Sequence, residues 1–365
     1  MDEFHDLIPG TAYSPDQIRA WLQHIRLPQT LTPYINNPSS IPKTYSTLQQ
    51  LMRCQITRFP YENLSVHYSP THSVTIRPEA LYQKFMGPYR DGGNGRGGYC
   101  MELSIFFHHM LRGLGFYVYM TAVRIRSRVD GVPQGDFGGY THINNIVHLS
   151  GTGTGTTNGD SCSSSSSQKF SVDVAFGGDG PTNPMPLVEQ HEQHEQQPSR
   201  HAPIIPNLGP QEVRLLQSAF PKQSLKAPRH WIYQYRNGAD KPWNSFYCFT
   251  ENEFFQEDFE VMNWFTSTAI STHRLAVLVV RFLRRDEKLR FEEGSELPEE
   301  EEVEIVGKVM LVNNVVKVNW GGKTTVVHSC DSEEQRVQAL REYFGIYLTG
   351  EEARAIQGWD MELKS

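Results

Sequence analysis

The chain has 365 residues, more than one compact core usually accommodates, so two or three subdomains are expected. Hydrophobic residues make up 38% and aromatic residues 11%, which excludes wholesale disorder and points to a packed core carrying polar insertions. A net charge of −7, from 34 basic and 41 acidic residues, speaks against a general nucleic-acid binder, and no apolar run approaches the roughly 18 residues of a membrane span.

The first hundred residues read as helical. The opening MDEFHDLIPG lacks an apolar core, so no secretory signal is expected. Ser14-Pro15 is a cap and first-turn signature for a helix to Ile25. A second helix is expected over 44–59, with Leu48, Leu51, Met52 and Ile56 on one stripe, and a third after Pro78. DGGNGRGG (91–98) is too glycine-rich for an element. It leads into an amphipathic helix that starts near Cys100 and ends near Gly115.

From Phe116 the period changes to that of strands, expected at 116–128, 143–149 and 170–176. Between the last two lies GTGTGTTNGDSCSSSSSQK, read as a disordered insertion near 151–169 in a hairpin connection. A Gln/Glu-rich run at 188–201 carries His191, His194 and His201, read as a solvated loop and not as a metal site. Strands are expected at 231–236 and 244–250, a helix over 251–264, and a fully buried strand over 275–283. Two strands flank the turn at Asn313-Asn314, and a last helix runs from a cap at Asp331 to Tyr347. The fold class is therefore α+β, with a helical domain over 1–115, a β-barrel-like domain over 116–250 and a smaller α/β domain over 251–365.

Five scattered cysteines, Cys54, Cys100, Cys162, Cys248 and Cys330, with no CxxC pair, fit reduced thiols of a cytoplasmic protein and no structural zinc. Cys100 stands apart. A lone cysteine is commonly a small buried hydrophobe, but a position at a helix N-terminus after a glycine-rich loop favours the thiolate. A thiolate nucleophile needs an imidazole partner, and that imidazole needs a group to orient it. His142 stands at the start of one strand, and Asp173 lies in an apolar strand where a carboxylate is costly unless partnered. Cys100, His142 and Asp173 thus make a cysteine-protease-like set in the order that acyl transfer uses. His108 and His109 compete for the base role from further along the helix of Cys100.

RGGYCMELS (96–104) resembles the nucleophile motif of the arylamine N-acetyltransferases. RFPYENL (58–64), GGYTHINNIV (138–147), VDVAFGG (172–178) and EDFEVMNWFTST (257–268) are similar to further motifs of that family, in the same order. The sequence departs from the pattern at Ser104, where Asn is usual, at Ala175, where Gly is usual, and in FTSTAIS (265–271). The resemblance implies a helical bundle, a barrel and a lid, and ping-pong acyl transfer from acetyl-CoA through a Cys100 thioester to arylamines, arylhydrazines or N-hydroxyarylamines. It implies coenzyme contacts at Gly138, Thr141, Phe265 and Ser271, no metal, no tightly bound cofactor, and a monomer or weak homo-oligomer. Arg58, Glu62 and Glu102 are expected to support the site, or equally to form buried ion pairs. Malonyl-CoA is the alternative donor, with Arg96, Arg124 and Arg126 as cations for its extra carboxylate. A papain-like or transglutaminase-type enzyme would share the residue order but not the motif set.

Overall fold

The computed structural model describes residues 10–87, 94–150, 167–189, 202–225, 227–268, 272–287 and 301–364. The residues of the insertion from 151 to 166, the three histidines of the 188–201 run, Cys162 and Ser271 lie outside them.

Helix α1 (Pro15–His24) opens with a capping box between Ser14 and Gln17. Helices α2 (Tyr45–Arg58), α3 (Leu64–His67), α4 (Pro78–Met86) and α5 (Cys100–Gly113) complete the helical part. Strand β1 (Tyr61–Glu62) interrupts this series. The bundle core is aromatic: Phe59, Phe85 and Phe106 pack edge-on or tilted around one another, with Tyr13 and Trp21 alongside.

Eight of the following strands form one antiparallel sheet. In chain order they are β2 (Tyr117–Ile125), a small hairpin outside the sheet of β3 (Arg128–Val129) and β4 (Val132–Pro133), then β5 (Tyr140–Leu149), β6 (Gln168–Val172), β7 (Met185–Pro186), β8 (Ile205–Pro206), β9 (Glu212–Ser218), β10 (His230–Arg236) and β11 (Asn244–Phe249). The spatial order β7-β6-β5-β2-β11-β10-β9-β8 brings the two ends together. There Asn183 Nδ2 donates to the Pro206 carbonyl at 2.9 Å, and the sheet is nearly closed into a barrel.

Helices α6 (Gln256–Thr268) and α7 (Thr272–Leu275) precede a second antiparallel sheet, formed by β1, β12 (Leu278–Arg284), β13 (Ile305–Val312), β14 (Val315–Asn319) and β15 (Thr324–Ser329). Helix α8 (Glu333–Phe344), capped by Ser332 and ended by Gly345 at φ 69°, and α9 (Gly350–Ala355) close the chain. We propose the divisions near 115 and 250 as organisational units. Strand β1 crosses them, since Tyr61 pairs with Val280 and Glu62 with Val279.

Several expectations shift. The strand expected at 170–176 ends at Val172, because Asp173 Oδ1 accepts from the Ala175 N–H at 3.0 Å and turns the chain. The helix expected at 251 starts at Gln256, since the Phe254 N–H is held by the Met120 carbonyl at 2.8 Å and Asp258 caps the Phe255 N–H. Leu275 belongs to α7 and is exposed, so the strand beyond it starts at Leu278 and is buried only in part. The last long helix is capped by Ser332 and not Asp331.

β5 and β6 are in register from Asn145↔Val172 to Leu149↔Gln168, on both sides of residues 151–166. Apart from Cys162 that stretch carries no apolar side chain. Replacing 151–166 by a short turn is expected to leave Tm and activity nearly unchanged, because loop length contributes little to closure entropy; calorimetry and a turnover assay on the shortened chain check this.

Candidate active site

The nucleophile is placed by backbone contacts before its own side chain matters. The Glu62 N–H donates to the Gly98 carbonyl at 2.9 Å, and the Gly98 N–H to the Pro60 carbonyl at 3.3 Å. A Cβ on Gly97 would lie 1.8 Å from that carbonyl oxygen, so only glycine allows the approach. Glu102 Oε2 accepts the Tyr99 N–H at 3.0 Å, fixing the first turn of α5 with Cys100 as its first residue.

Beneath this turn lies a buried ionic group. Lys84 Nζ is 2.7 Å from Glu102 and 3.3 Å from Glu62, while Arg96 bridges Glu62 at 3.0 Å and Glu352 of α9 at 2.7 Å. Burial alone would raise the Glu62 carboxyl, but the charges of Arg96 and Lys84 hold it below its ordinary value. Glu102 is raised, first by burial and then by Glu62, against the pull of Lys84. Glu62 and Glu102 therefore stand as buried ion-pair members. Arg58 meets the ring nitrogens of His24, at 3.0 Å from Nε2.

His142 sits near the start of β5, opposite Val123 of β2. Extending the β5–β6 register by one residue places Asp173 opposite Asn144, two positions from His142 on the same face. The side chains meet: His142 Nε2 lies 2.8 Å from Asp173 Oδ2. The Cys100 thiol is near enough to count among the influences that raise His142, and it lies 3.8 Å from the Thr141 carbonyl. All three are almost fully buried. Burial would lower the imidazole, but the Asp173 charge, its hydrogen bond and the Cys100 contact outweigh it and raise His142 to about 10. The rings of Phe176 and Tyr247, at 5.0 Å and 6.0 Å, wall the imidazole. This arrangement sets a ring biased towards its charged form beside a thiol, both with little access to solvent.

The structure thus brings Cys100, His142 and Asp173 together, and it leaves out His108 and His109. His109 faces Ala12 and Tyr13 across the bundle. The Ser104 carbonyl accepts from Asn145 Nδ2 at 3.1 Å, tying α5 to β5, and Ala175 fills a buried turn. Thr141 borders the thiol. Gly138 is exposed, with its carbonyl held by Arg124 at 3.0 Å, and Phe265 lies outward on α6. The three arginines considered for a donor carboxylate are engaged elsewhere. Arg96 is in the ionic group, Arg124 lies over the Tyr140 ring, and Arg126 bonds the Gly135 and Ser245 carbonyls. Among the described residues no group of three or more metal-ligating side chains occurs, and no helix is long and apolar enough to cross a membrane. Sequence reasoning gave no role to Tyr61, Tyr99, Phe176 and His273 around the site; Tyr99 directly precedes Cys100 and Phe176 lies just after Asp173, while Tyr61 and His273 come from segments distant in sequence.

The residue pattern described as N-acetyltransferase matches residues 44–353. The chain belongs to the arylamine N-acetyltransferase family. It is 28% identical to the N-malonyltransferase FDB2 of Gibberella moniliformis, over 94% of this chain and 92% of that protein. It is 27% identical to an arylamine N-acetyltransferase of Mycobacterium tuberculosis, over 64% of this chain and 66% of that one. The fold is that of the arylamine N-acetyltransferase of Nocardia farcinica, with a TM-score of 0.64, 22% identity and 99% of both chains covered. A Mycobacterium marinum family member solved in complex with CoA superposes with a TM-score of 0.59 at 20% identity, over 90% of this chain and 99% of that one. The family makes this chain an acyl-CoA-dependent acyltransferase.

Two outcomes follow from the charges. The raised His142 contributes stability fully below the unfolded value near 6.5 and loses it as pH rises through about 10. Asp173→Asn removes the raising charge and leaves the burial, so the His142 ring should titrate at much lower pH; ring NMR across the pH range reads the midpoint. Glu62→Ala should lower stability by roughly 3–5 kcal/mol, because Arg96 and Lys84 then lose a buried counter-charge; urea unfolding measures it.

Proposed function

We propose that the protein transfers an acetyl group from acetyl-CoA to the nitrogen of arylamines, arylhydrazines or N-hydroxyarylamines by a ping-pong mechanism through a Cys100 thioester. The observation that carries this reading is the buried His142, hydrogen-bonded to Asp173 and raised by that carboxylate and by the Cys100 thiol at a helix N-terminus. In the first half-reaction the Cys100 thiolate attacks the thioester carbonyl of the donor. The C–S bond to CoA breaks, and His142 gives its proton to the departing thiolate. In the second, the amine lone pair attacks the Cys100 thioester, His142 takes a proton from nitrogen, and the Cys100 thiolate leaves. Asp173 holds the ring and stabilises its charged form.

Gly138, Thr141, Phe265 and Ser271 are the proposed coenzyme contacts. Burial supports this chemistry, since a water-filled pocket would hydrolyse the acyl-enzyme. Malonyl-CoA is the second donor reading, favoured by one observation: the N-malonyltransferase relative aligns over 94% of this chain. The proposed setting is a cytoplasmic monomer or weak homo-oligomer that binds no metal, nucleic acid or membrane.

Cys100→Ser is expected to abolish transfer while leaving Tm unchanged, because the same imidazole cannot ionise an alcohol. Mass spectrometry after incubation with acetyl-CoA should find one acetyl adduct, on Cys100; turnover retained in Cys100→Ser would overturn the reading. Competition between acetyl-CoA and malonyl-CoA for that adduct decides the donor.

A further inference from the structure

His273 is a histidine in the site that neither the triad nor the coenzyme contacts use. It lies on α7, next to the segment that carries Ser271. Its backbone carbonyl is held by Asn63 Nδ2 at 2.8 Å and by His67 Nε2 at 2.9 Å, so RFPYENL fixes where α7 sits. Its ring packs edge-on to Tyr99, with centroids 5.1 Å apart, and tilts over Tyr61 at 6.3 Å. Tyr99 is the residue before Cys100. Tyr61 lies close enough to Cys100 for the sulfur's charge to dominate the electrostatic influences on its hydroxyl. The Tyr99 hydroxyl is itself taken up by Asn263 and Thr266 of α6.

Within this aromatic frame the Nδ1 of His273 is buried and has no hydrogen-bond partner among the described residues. An unpartnered buried nitrogen is a standing cost in the free enzyme, and a hydrogen bond from a bound molecule would relieve it. Burial, followed by the charges of His142 and His67, pushes the ring down to about 4, so at working pH His273 is neutral and can accept a hydrogen bond. It cannot protonate an incoming amine, which must arrive with its lone pair free.

We propose that His273 contacts the acceptor substrate, its open ring nitrogen taking a hydrogen bond from the N–H of a primary aromatic amine as that amine attacks the Cys100 thioester. The assignment rests on the thioester reading above. A primary arylamine carries two N–H groups. One proton passes to His142 as the C–N bond forms and the C–S bond to Cys100 breaks; the other stays on nitrogen, held by His273, and becomes the amide N–H of the product. The faces of Tyr61 and Tyr99 offer aromatic walls for the ring of the same molecule. The acetyl donor has no N–H at its reacting end, so the contact belongs to the second half-reaction alone.

That separation gives the test. His273→Phe keeps a planar ring between the tyrosines and removes the acceptor. The burst of free CoA on mixing enzyme with acetyl-CoA, which reports acylation, should match wild type, and Tm should stay equal or rise. The kcat/KM for a primary arylamine should fall about tenfold, the size of one lost hydrogen bond to substrate, and His273→Gln, which restores an acceptor, should recover part of it. Parallel loss in both half-reactions, or wild-type aminolysis in His273→Phe, overturns the assignment. A wild-type enzyme that shows no burst overturns the thioester reading instead, and this one with it.

Discussion

A carboxylate and an imidazole almost wholly removed from water, 2.8 Å apart, are the constraint on which this site depends. Either group alone would be costly at that depth; paired, the Asp173 carboxylate outweighs burial and favours the charged form of the His142 ring. The pairing sets demands on the backbone. His142 and Asp173 must face the same side of adjacent strands, so the β5–β6 register cannot slip by one residue without separating them. Asp173 must also leave the ladder, which it does by accepting the Ala175 N–H with the oxygen that His142 does not use. The nearly closed sheet supplies the rest, because Phe176 and Tyr247 shield the pair from the barrel interior.

The second constraint works on the nucleophile. Cys100 is held from below by Lys84, Arg96, Glu62 and Glu102 and from the side by β1, whose two residues belong at once to the approach to α5 and to the lid sheet. Arg96 reaches on to Glu352 of α9, so the last helix of the chain bears on the loop before the nucleophile. Asn63 and His67, on the other side of Glu62, hold α7. A short stretch, residues 58–67, therefore ties the helical part to both ends of the lid. An acyl-enzyme that must exclude water yet admit an amine needs a lid fixed at this accuracy, since misplacing reacting groups by an ångström costs orders of magnitude in rate.

Much of the site was legible in the sequence, for physical reasons. Cys100 is marked by a glycine-rich approach and a helix start, Asp173 by the cost of a carboxylate among Val172, Val174 and Phe176, and His142 by its place at the head of a strand. The α+β class and the order of helices, barrel-like strands and a mixed C-terminal part followed from periodicity, and the lid from the family resemblance. What was not legible depends on long-range contact. β1 is two residues long and carries no period, so its pairing with β12 left no trace. Arg96 reads as a spare cation until Glu352, far along the chain, is seen to occupy it. The run 275–283 looks like an unbroken strand, which hid α7 and with it His273, whose neighbours Tyr61 and Tyr99 come from the other end of the protein. Asp173 was placed inside a strand because an Asx-type turn is invisible to a reading based on alternation.

The two histidines nearest the thiol show how one small site separates its tasks by charge. His142 is buried and His273 is partly so, and loss of water alone would make both neutral. His142 has a carboxylate and a sulfur to answer its charge and is raised to about 10; His273 has tyrosine rings and two other histidines and is lowered to about 4. In the proposed mechanism an imidazolium that protonates the departing CoA and a neutral imidazole that does not compete for the amine's lone pair are different tools, made from the same side chain by different neighbours. That division also bears on the donor. Arg96, Arg124 and Arg126 all have partners elsewhere, while the raised His142 is a positive charge beside the thiol. A small uncharged acyl group needs nothing more than that, whereas a second carboxylate would draw on the same imidazolium that has to release its proton to the leaving thiolate.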